Sequence, residues 1–230
     1  ITTEDVYAKK AELLEKINSY KIVNAVNTVS IPEICSYKAE NGKRTVVLID
    51  LGYKRNIRNE LLRRECNVIV VPDRTSAEEI KKLNPDGIML SNGPGDPEEN
   101  VEVIKNIAEI SKLGIPIFGI CMGHQLMALA HGARTEKLKY GHRGGNQPVI
   151  DLKLGKTFVT SQNHGYAVVG ESVNTDIAEV SHINANDRTC EGVRYKNIKA
   201  FTVQFHPEAR GGPLDTSYLF DEFMKLMEEK

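Results

Sequence analysis

From Thr45 onward the chain alternates between short, almost wholly apolar runs and longer stretches in which apolar residues recur every three or four positions. The apolar runs are TVVLID (45–50), CNVIVV (66–71), GIMLS (87–91) and IPIFGI (115–120). Each has the length and β-branched content of a strand buried on both faces. Between them, RNIRNELLRRE (55–65), SAEEIKKL (76–83) and residues 98–113 carry helical periodicity. Strands and helices in this order predict an α/β fold: a mixed, mostly parallel central sheet with helices on both faces. A further helix follows residue 121. Beyond it the pattern shortens to FVTS (158–161), GVRY (192–195) and AFTVQF (200–205), some of them antiparallel, before a last helix from about Asp215 to Glu228. Ahead of the sheet, residues 3–17 read as an amphipathic helix capped by Thr2 or Thr3, and the stretch to about Arg44, with Pro32, Asn41 and Gly42, as a connector. Ligands in such sheets bind beyond the carboxyl ends of the strands, so the chemistry is expected just after residues 91, 120 and 205.

Composition narrows the classes of function. The 230 residues suit one α/β domain with a short appendage. Thirty Lys and Arg against 31 Asp and Glu leave no charge excess to draw the chain to nucleic acid or an anionic membrane. No apolar run reaches membrane-spanning length, and no signal peptide is visible. The four cysteines (Cys35, Cys66, Cys121, Cys190) are scattered without a CxxC pair, which speaks against a disulfide framework or zinc ribbon and for a reducing cytoplasm. Ile1 in place of Met points to a piece of a longer chain.

Three strand ends carry candidate chemistry. The fourth apolar run leads into Gly119-Ile120-Cys121-Met122-Gly123, the cysteine counterpart of the G-x-S-x-G nucleophile elbow. Such a turn needs glycine on both sides, and it sets Cys121 at a helix N-terminus, where the dipole favours a thiolate. The N–H of Met122 then points to where an oxyanion would form. The bland alternative is a buried cysteine in a glycine-rich turn. The third run ends in Ser91-Asn92-Gly93-Pro94-Gly95-Asp96-Pro97, a rigid loop whose glycines let main-chain amides approach a ligand. After Gln204-Phe205 comes His206-Pro207-Glu208; on an extended segment, residues two apart share a side, so Glu208 is placed to orient His206 while His206 takes the thiol proton.

Other features carry less. Gly155-Lys156-Thr157 ends like a P-loop, but Ile150 stands where its first glycine is required. His124 and His131 fall on the helix after the elbow and read as packing or capping residues, His142 and His164 lie in glycine-rich loops, and His182 has no motif around it. Arg63, Arg64 and Glu65 read as a solvated helix face, and Cys35, Cys66 and Cys190 as unreactive thiols. No metal-ligand spacing is present.

Taken together, GICMGHQ, SNGPGDP and QFHPE resemble the class I (triad) glutamine amidotransferases, whose fold is flavodoxin-like. YGHRGGNQPV (140–149), SQNHGYAV (161–168) and HPEARGGPLD (206–215) narrow the resemblance to the glutaminase domain of carbamoyl-phosphate synthetase small subunits. The likeness covers residues 44–230, and residues 1–43 are similar to the tail of that subunit's N-terminal domain and its connector. It implies Cys121 as nucleophile, His206 as acid and base, and Glu208 as its orienting partner. It also implies that Gly93, Gly95, Met122 and Gln125 contact glutamine or the oxyanion, and that Asn163, Gly165 and Tyr166 bind the amino-acid end of glutamine. The pattern is departed from in two places: Met122 stands where leucine is usual, and Arg210-Gly211 where a small residue and proline are. The expected partner is a large synthetase subunit, in a heterodimer or higher oligomer, that holds ATP, Mg²⁺ and bicarbonate; this chain itself is expected to carry no cofactor or metal. The pathways implied are those of arginine and pyrimidines. Two other classes stay open on the residues alone. A stand-alone cysteine hydrolase would need no partner, and a regulatory module would have lost catalysis; the segment 161–166 speaks against the first and the intact triad against the second.

Overall fold

The computed structural model describes residues 2–20, 22–212 and 214–229. Ahead of the main sheet come α1 (Lys10–Ser19), α2 (Ala25–Val29) and β1 (Cys35–Tyr37). The alternating region runs β2 (Arg44–Asp50), α3 (Arg55–Arg63), β3 (Cys66–Pro72), α4 (Ala77–Lys82), β4 (Gly87–Leu90), α5 (Val101–Ile110), β5 (Ile117–Ile120) and α6 (Met122–Ala130). Then follow β6 (Thr135–Asp151), β7 (Lys156–Val168), β8 (Ala178–Asn184), β9 (Cys190–Tyr195), β10 (Ala200–Val203) and α7 (Tyr218–Glu228).

The strands lie in the order β1-β3-β2-β4-β5-β10-β9-β7-β6-β8, with β8 also returning to β9. Five of them, β3-β2-β4-β5-β10, are parallel, as helical crossovers require. β1 and β9 border this block antiparallel, and β7, β6 and β8 extend it antiparallel. Because β3 and β4 flank β2 on opposite sides, the winding reverses between β2 and β4. A crevice for a ligand opens at such a reversal, at the carboxyl ends of the strands.

Alternation along the parallel strands feeds two apolar layers. Val47, Ile49, Ile88 and Leu90 face α4, α5 and α6 through Ile80, Val103, Ile107, Leu126 and Met127. Val46, Leu48, Val68, Met89 and Phe118 face α3 and α7 through Ile57, Leu61, Leu219, Phe220 and Phe223. Burying one such side chain contributes about 1.5–3 kcal/mol, so both faces of the sheet are tied firmly to their helices. Phe118 centres the second layer, stacked on Phe201 at 4.5 Å and meeting Phe220 edge-on at 5.5 Å.

Several boundaries differ from the expectation. The first helix begins at Lys10, with Lys9 at its N-cap. Asp5 Oδ1 accepts the N–H groups of Tyr7 and Ala8 in a local turn that competes with helix. Thr2 Oγ1 takes only the N–H of Glu4, so neither threonine caps α1. The connector contains α2 and β1. The last helix starts at Tyr218, because Ser217, Leu219 and Phe220 donate three residues back in tight turns. β6 and β8 carried no apolar signature. β6 pairs with β7 through two register shifts, between Lys137 and His142 and between Gly144 and Gln147, and most of its residues are partly or fully exposed.

Candidate active site

The elbow is built as its glycines demand. Cys121 joins β5 to α6 at φ 52°, ψ −98°, a conformation that costs a non-glycine residue about 1–3 kcal/mol and persists only when its surroundings enforce it. Those surroundings are tight. A Cβ on Gly119 would lie 3.0 Å from the carbonyl carbon of Gly123, and one on Gly123 would lie 2.4 Å from the carbonyl oxygen of Leu90. Main-chain bonds lock the turn, with Cys121 donating to Val203 O at 2.8 Å and Gly123 to Ser91 O at 3.0 Å. Met122, first residue of α6, has no intrahelical acceptor for its N–H, while its side chain is buried in the core.

His206 and Glu208 do not lie on an extended segment. β10 ends at Val203, and the Ala209 N–H closes a turn on His206 O at 3.1 Å. Pro207, with its fixed φ, sits within that turn. The turn still brings the two side chains together: His206 Nδ1 is 2.8 Å from Glu208 Oε1, both residues being buried. Burial opposes charging of the imidazole, but the charges of Glu208 and Cys121 beside it outweigh this and push His206 up to about 9. Burial likewise opposes charge on Glu208, yet its His206 partner holds the carboxyl below its ordinary range.

A cleft of about 540 Å³ joins these groups. Gly93, Cys121, Asn163 and His206 line it, alongside Tyr53, Lys54 and Asn92. The loop after β2 was not singled out from the sequence, although the end of a fourth parallel strand was the signal for it. Its shape is set by buried polar groups. Asp50 Oδ1 accepts the N–H groups of Gly52 and Tyr53, and Asn92 bridges to Lys54 N and Gly52 O. Lys54 Nζ lies 3.5 Å from Glu208 Oε1. Gly93 presses against Leu51 so closely that a Cβ would sit 2.2 Å from its carbonyl oxygen.

Gly95, Met122, Gln125, Gly165 and Tyr166 are not among the cleft-lining residues. Gln125 donates its amide N–H groups to Tyr166 O at 2.7 Å and Gln204 Oε1 at 2.8 Å, tying α6 to β7 and to the residue that follows β10. His164 donates towards Tyr166 O and faces Gln162. Gln162 and His142 meet the buried Glu191, and His142 also meets Asp187. Hydrogen bonding to Glu191 pushes His142 up to about 9, whereas burial holds His164 down at about 4. His124 is buried against Thr202 Oγ1, and His131 reaches Met127 O near the helix end.

Cys66 and Cys190 are buried, their thiols pushed up to about 11 and about 12 by desolvation, while Cys35 is exposed. Arg63 and Arg64 do not form a simple solvated face. Both ion-pair with Glu60, a carboxylate only 4 % exposed, and Arg64 also pairs with Asp221 and lies over the Phe220 ring.

A cysteine elbow at the end of a central parallel strand, lining one cleft with a histidine that a buried glutamate backs, points to a class. The class I glutamine amidotransferase profile matches residues 47–226, and the chain belongs to that family. Within it the chain is similar to carbamoyl phosphate synthase small chains. It is 61% identical over 185 residues to that of Fusobacterium nucleatum, covering 79% of this chain and 51% of the relative. It is 51% identical over 223 residues to that of Methanocaldococcus jannaschii, covering 96% of this chain and 62% of the relative. The chain thus spans roughly half to three-fifths of the length of these relatives. Among solved structures, a putative GMP synthase protein from Thermoplasma acidophilum superposes with a TM-score of 0.71 at 20% identity, covering 84% of this chain and 95% of that one. A glutamine amidotransferase from Thermotoga maritima gives 0.59 at 18%, covering 81% and 84%. At these identities the likeness concerns the fold.

Proposed function

We propose that this chain hydrolyses glutamine to glutamate and ammonia, with Cys121, His206 and Glu208 as the triad, and delivers the ammonia to a synthetase subunit that makes carbamoyl phosphate. The observation that carries the reading is the convergence of the Cys121 elbow and the His206–Glu208 pair on one cleft. The Cys121 thiolate attacks the side-chain carboxamide carbon, and the carbonyl electrons move onto oxygen. The N–H groups of Met122 and Gly93 are the donors suited to that oxyanion. His206, protonated and held by Glu208, gives its proton to the departing ammonia, leaving a γ-glutamyl thioester. It then takes a proton from water, which attacks the thioester and frees glutamate and the thiolate. Asn163, which lines the cleft, binds the amino-acid end of glutamine in this proposal, together with Gly165 and Tyr166 next to it in sequence.

The domain reading goes with this. Residues 44–230 are the glutaminase domain, and residues 1–43 the tail of a preceding domain and a connector. The relatives' description as carbamoyl phosphate synthase small chains supports a large synthetase partner. In this proposal that partner carries ATP, Mg²⁺ and bicarbonate, and the pair works in the cytoplasm for arginine or pyrimidine synthesis. The test is release of glutamate from glutamine by the chain alone, and carbamoyl phosphate formation after adding a large synthetase chain. Turnover of glutamine with no carbamoyl phosphate at any partner ratio would remove the partner reading. No turnover under either condition would remove both.

A further inference from the structure

Glu208 has little to hold its own side chain. Oε1 meets His206 at 2.8 Å and Lys54 at 3.5 Å, while Oε2 is buried without a hydrogen-bond partner among the described residues. No strand holds the segment either, since β10 has ended at Val203. The His206–Glu208 contact therefore depends on where the main chain of 206–210 is pinned. A catalytic geometry is kept only if the groups behind it are themselves locked.

On the histidine side the pin is main chain, His206 N–H donating to Ser161 O of β7 at 2.9 Å. On the glutamate side it is made by side chains of α3. The Asn56 amide nitrogen donates to the main-chain carbonyl of Glu208. Asn56 cannot turn round, because its carbonyl oxygen accepts from Arg63 Nη2 at 3.0 Å. Arg63 in turn is held by Glu60 at 2.8 Å, and Arg64 holds the other Glu60 oxygen at 2.7 Å. Two residues past Glu208, Arg210 also reaches Glu60 at 2.9 Å. A buried carboxylate pinned by three guanidiniums, with its neighbouring amide locked in one orientation, makes a stiff bracket.

We propose that Asn56, seated on the Glu60–Arg63–Arg64 cluster and braced by Arg210, is a positioning residue of the triad that fixes the main chain of Glu208 so its carboxylate meets His206. This rests on the triad reading of Cys121, His206 and Glu208. Asn56 touches neither the nucleophile nor the cleft and acts only through Glu208. A merely structural tie between α3 and the loop would show in stability alone, whereas a positioning role shows in the properties of His206.

The test compares Asn56→Ala, Asn56→Asp, Arg210→Ala and Arg210→Lys in the full chain. Deleting one hydrogen bond corresponds to a factor of about two to ten, and Asn56→Ala is expected to lower kcat for glutamine by that factor with KM changed less than about twofold. Asn56→Asp, nearly the same shape, turns an acceptor towards the Glu208 carbonyl beside Glu60 and should lose more. Arg210→Ala should lose less, and Arg210→Lys should recover most of that loss. The second readout needs no glutamine: the rate of Cys121 alkylation by iodoacetamide against pH, followed on the Cys121 peptide. With Glu208 displaced, its upper inflection should move down in pH in both Asn56 variants. Should Asn56→Asp fail to fold, Asn56→Ala and the Arg210 pair decide. An unchanged alkylation profile in folded Asn56→Ala overturns the proposal, whether kcat is kept or falls only in step with melting temperature. If the parent chain turns over no glutamine but the profile shifts as expected, the bracket stands and the substrate reading falls.

Discussion

Replacing Gly123 by alanine tests the elbow where it is least forgiving. The added Cβ would meet Leu90 three times: its carbonyl oxygen at 2.4 Å, its Cβ at 2.6 Å and its carbonyl carbon at 2.8 Å. None of these atoms can swing aside, because Leu90 closes a fully buried strand in the middle of the sheet. Ordinary contact begins near 3.4 Å, so the start of α6 must retreat by about 1 Å from β4. Cys121 moves with it, and the bond from Gly123 N–H to Ser91 O is lost. Overpacking of this kind costs about 1–3 kcal/mol of stability, and a misplacement of about 1 Å costs about 100-fold in rate. The assay is glutamate release under saturating glutamine, read beside the melting temperature. Gly170→Ala, whose Cβ would make only contacts of 3.8 Å, is the control and should behave as the parent. A folded Gly123→Ala protein with the parent kcat would refute the claim that glycine packing sets the nucleophile.

On the proposed roles, a proton-moving histidine and a carboxylate that orients it, His206→Asn should lower kcat further than Glu208→Gln; adding His206→Asn to Cys121→Ser should cost little more. A larger loss from Glu208→Gln would reverse the assigned roles. Because Glu208 and Cys121 raise His206 to about 9, the imidazolium proposed to protonate ammonia is present at neutral pH, and kcat should fall as pH rises through about 9. The linked stability has the same sign: it is fully present below about 6.5, the unfolded value, and is lost as pH passes about 9. Denaturant titrations of the parent and His206→Asn across that window should converge at high pH; a constant gap would contradict it. Phe118→Ala should cost about 3–5 kcal/mol by emptying the stack with Phe201, Phe220 and Phe223, as measured by urea denaturation.

The parallel half of the fold was legible because helices on both faces force its strands to be apolar throughout, as in TVVLID and IPIFGI. β6 was not, because part of what it covers is itself polar: His142 packs beside His164 and Glu191, so a chain segment rich in glycine and charge still forms a strand. The elbow and the His-Pro-Glu triplet stand out as motifs, yet the His206 and Glu208 side chains meet through a turn and not by strand alternation. Lys54 and Asn56 belong to no motif. Their place follows from the winding reversal between β2 and β4, a property of strand order that local pattern does not encode. Gln125 stands one turn past Cys121, and the bonds its amide nitrogen makes to Tyr166 O and Gln204 Oε1 depend on tertiary packing that the motif does not encode.

The central claim is that Cys121 attacks glutamine, and the most direct measurement is to catch the intermediate. The protein is mixed with glutamine, quenched in acid within the first turnovers, digested, and its cysteine peptides weighed. A γ-glutamyl adduct is expected on the Cys121 peptide, absent from Cys121→Ser and absent from the peptides of Cys35, Cys66 and Cys190. Glutamine turnover with the adduct on another cysteine, or undiminished in Cys121→Ser, would contradict it.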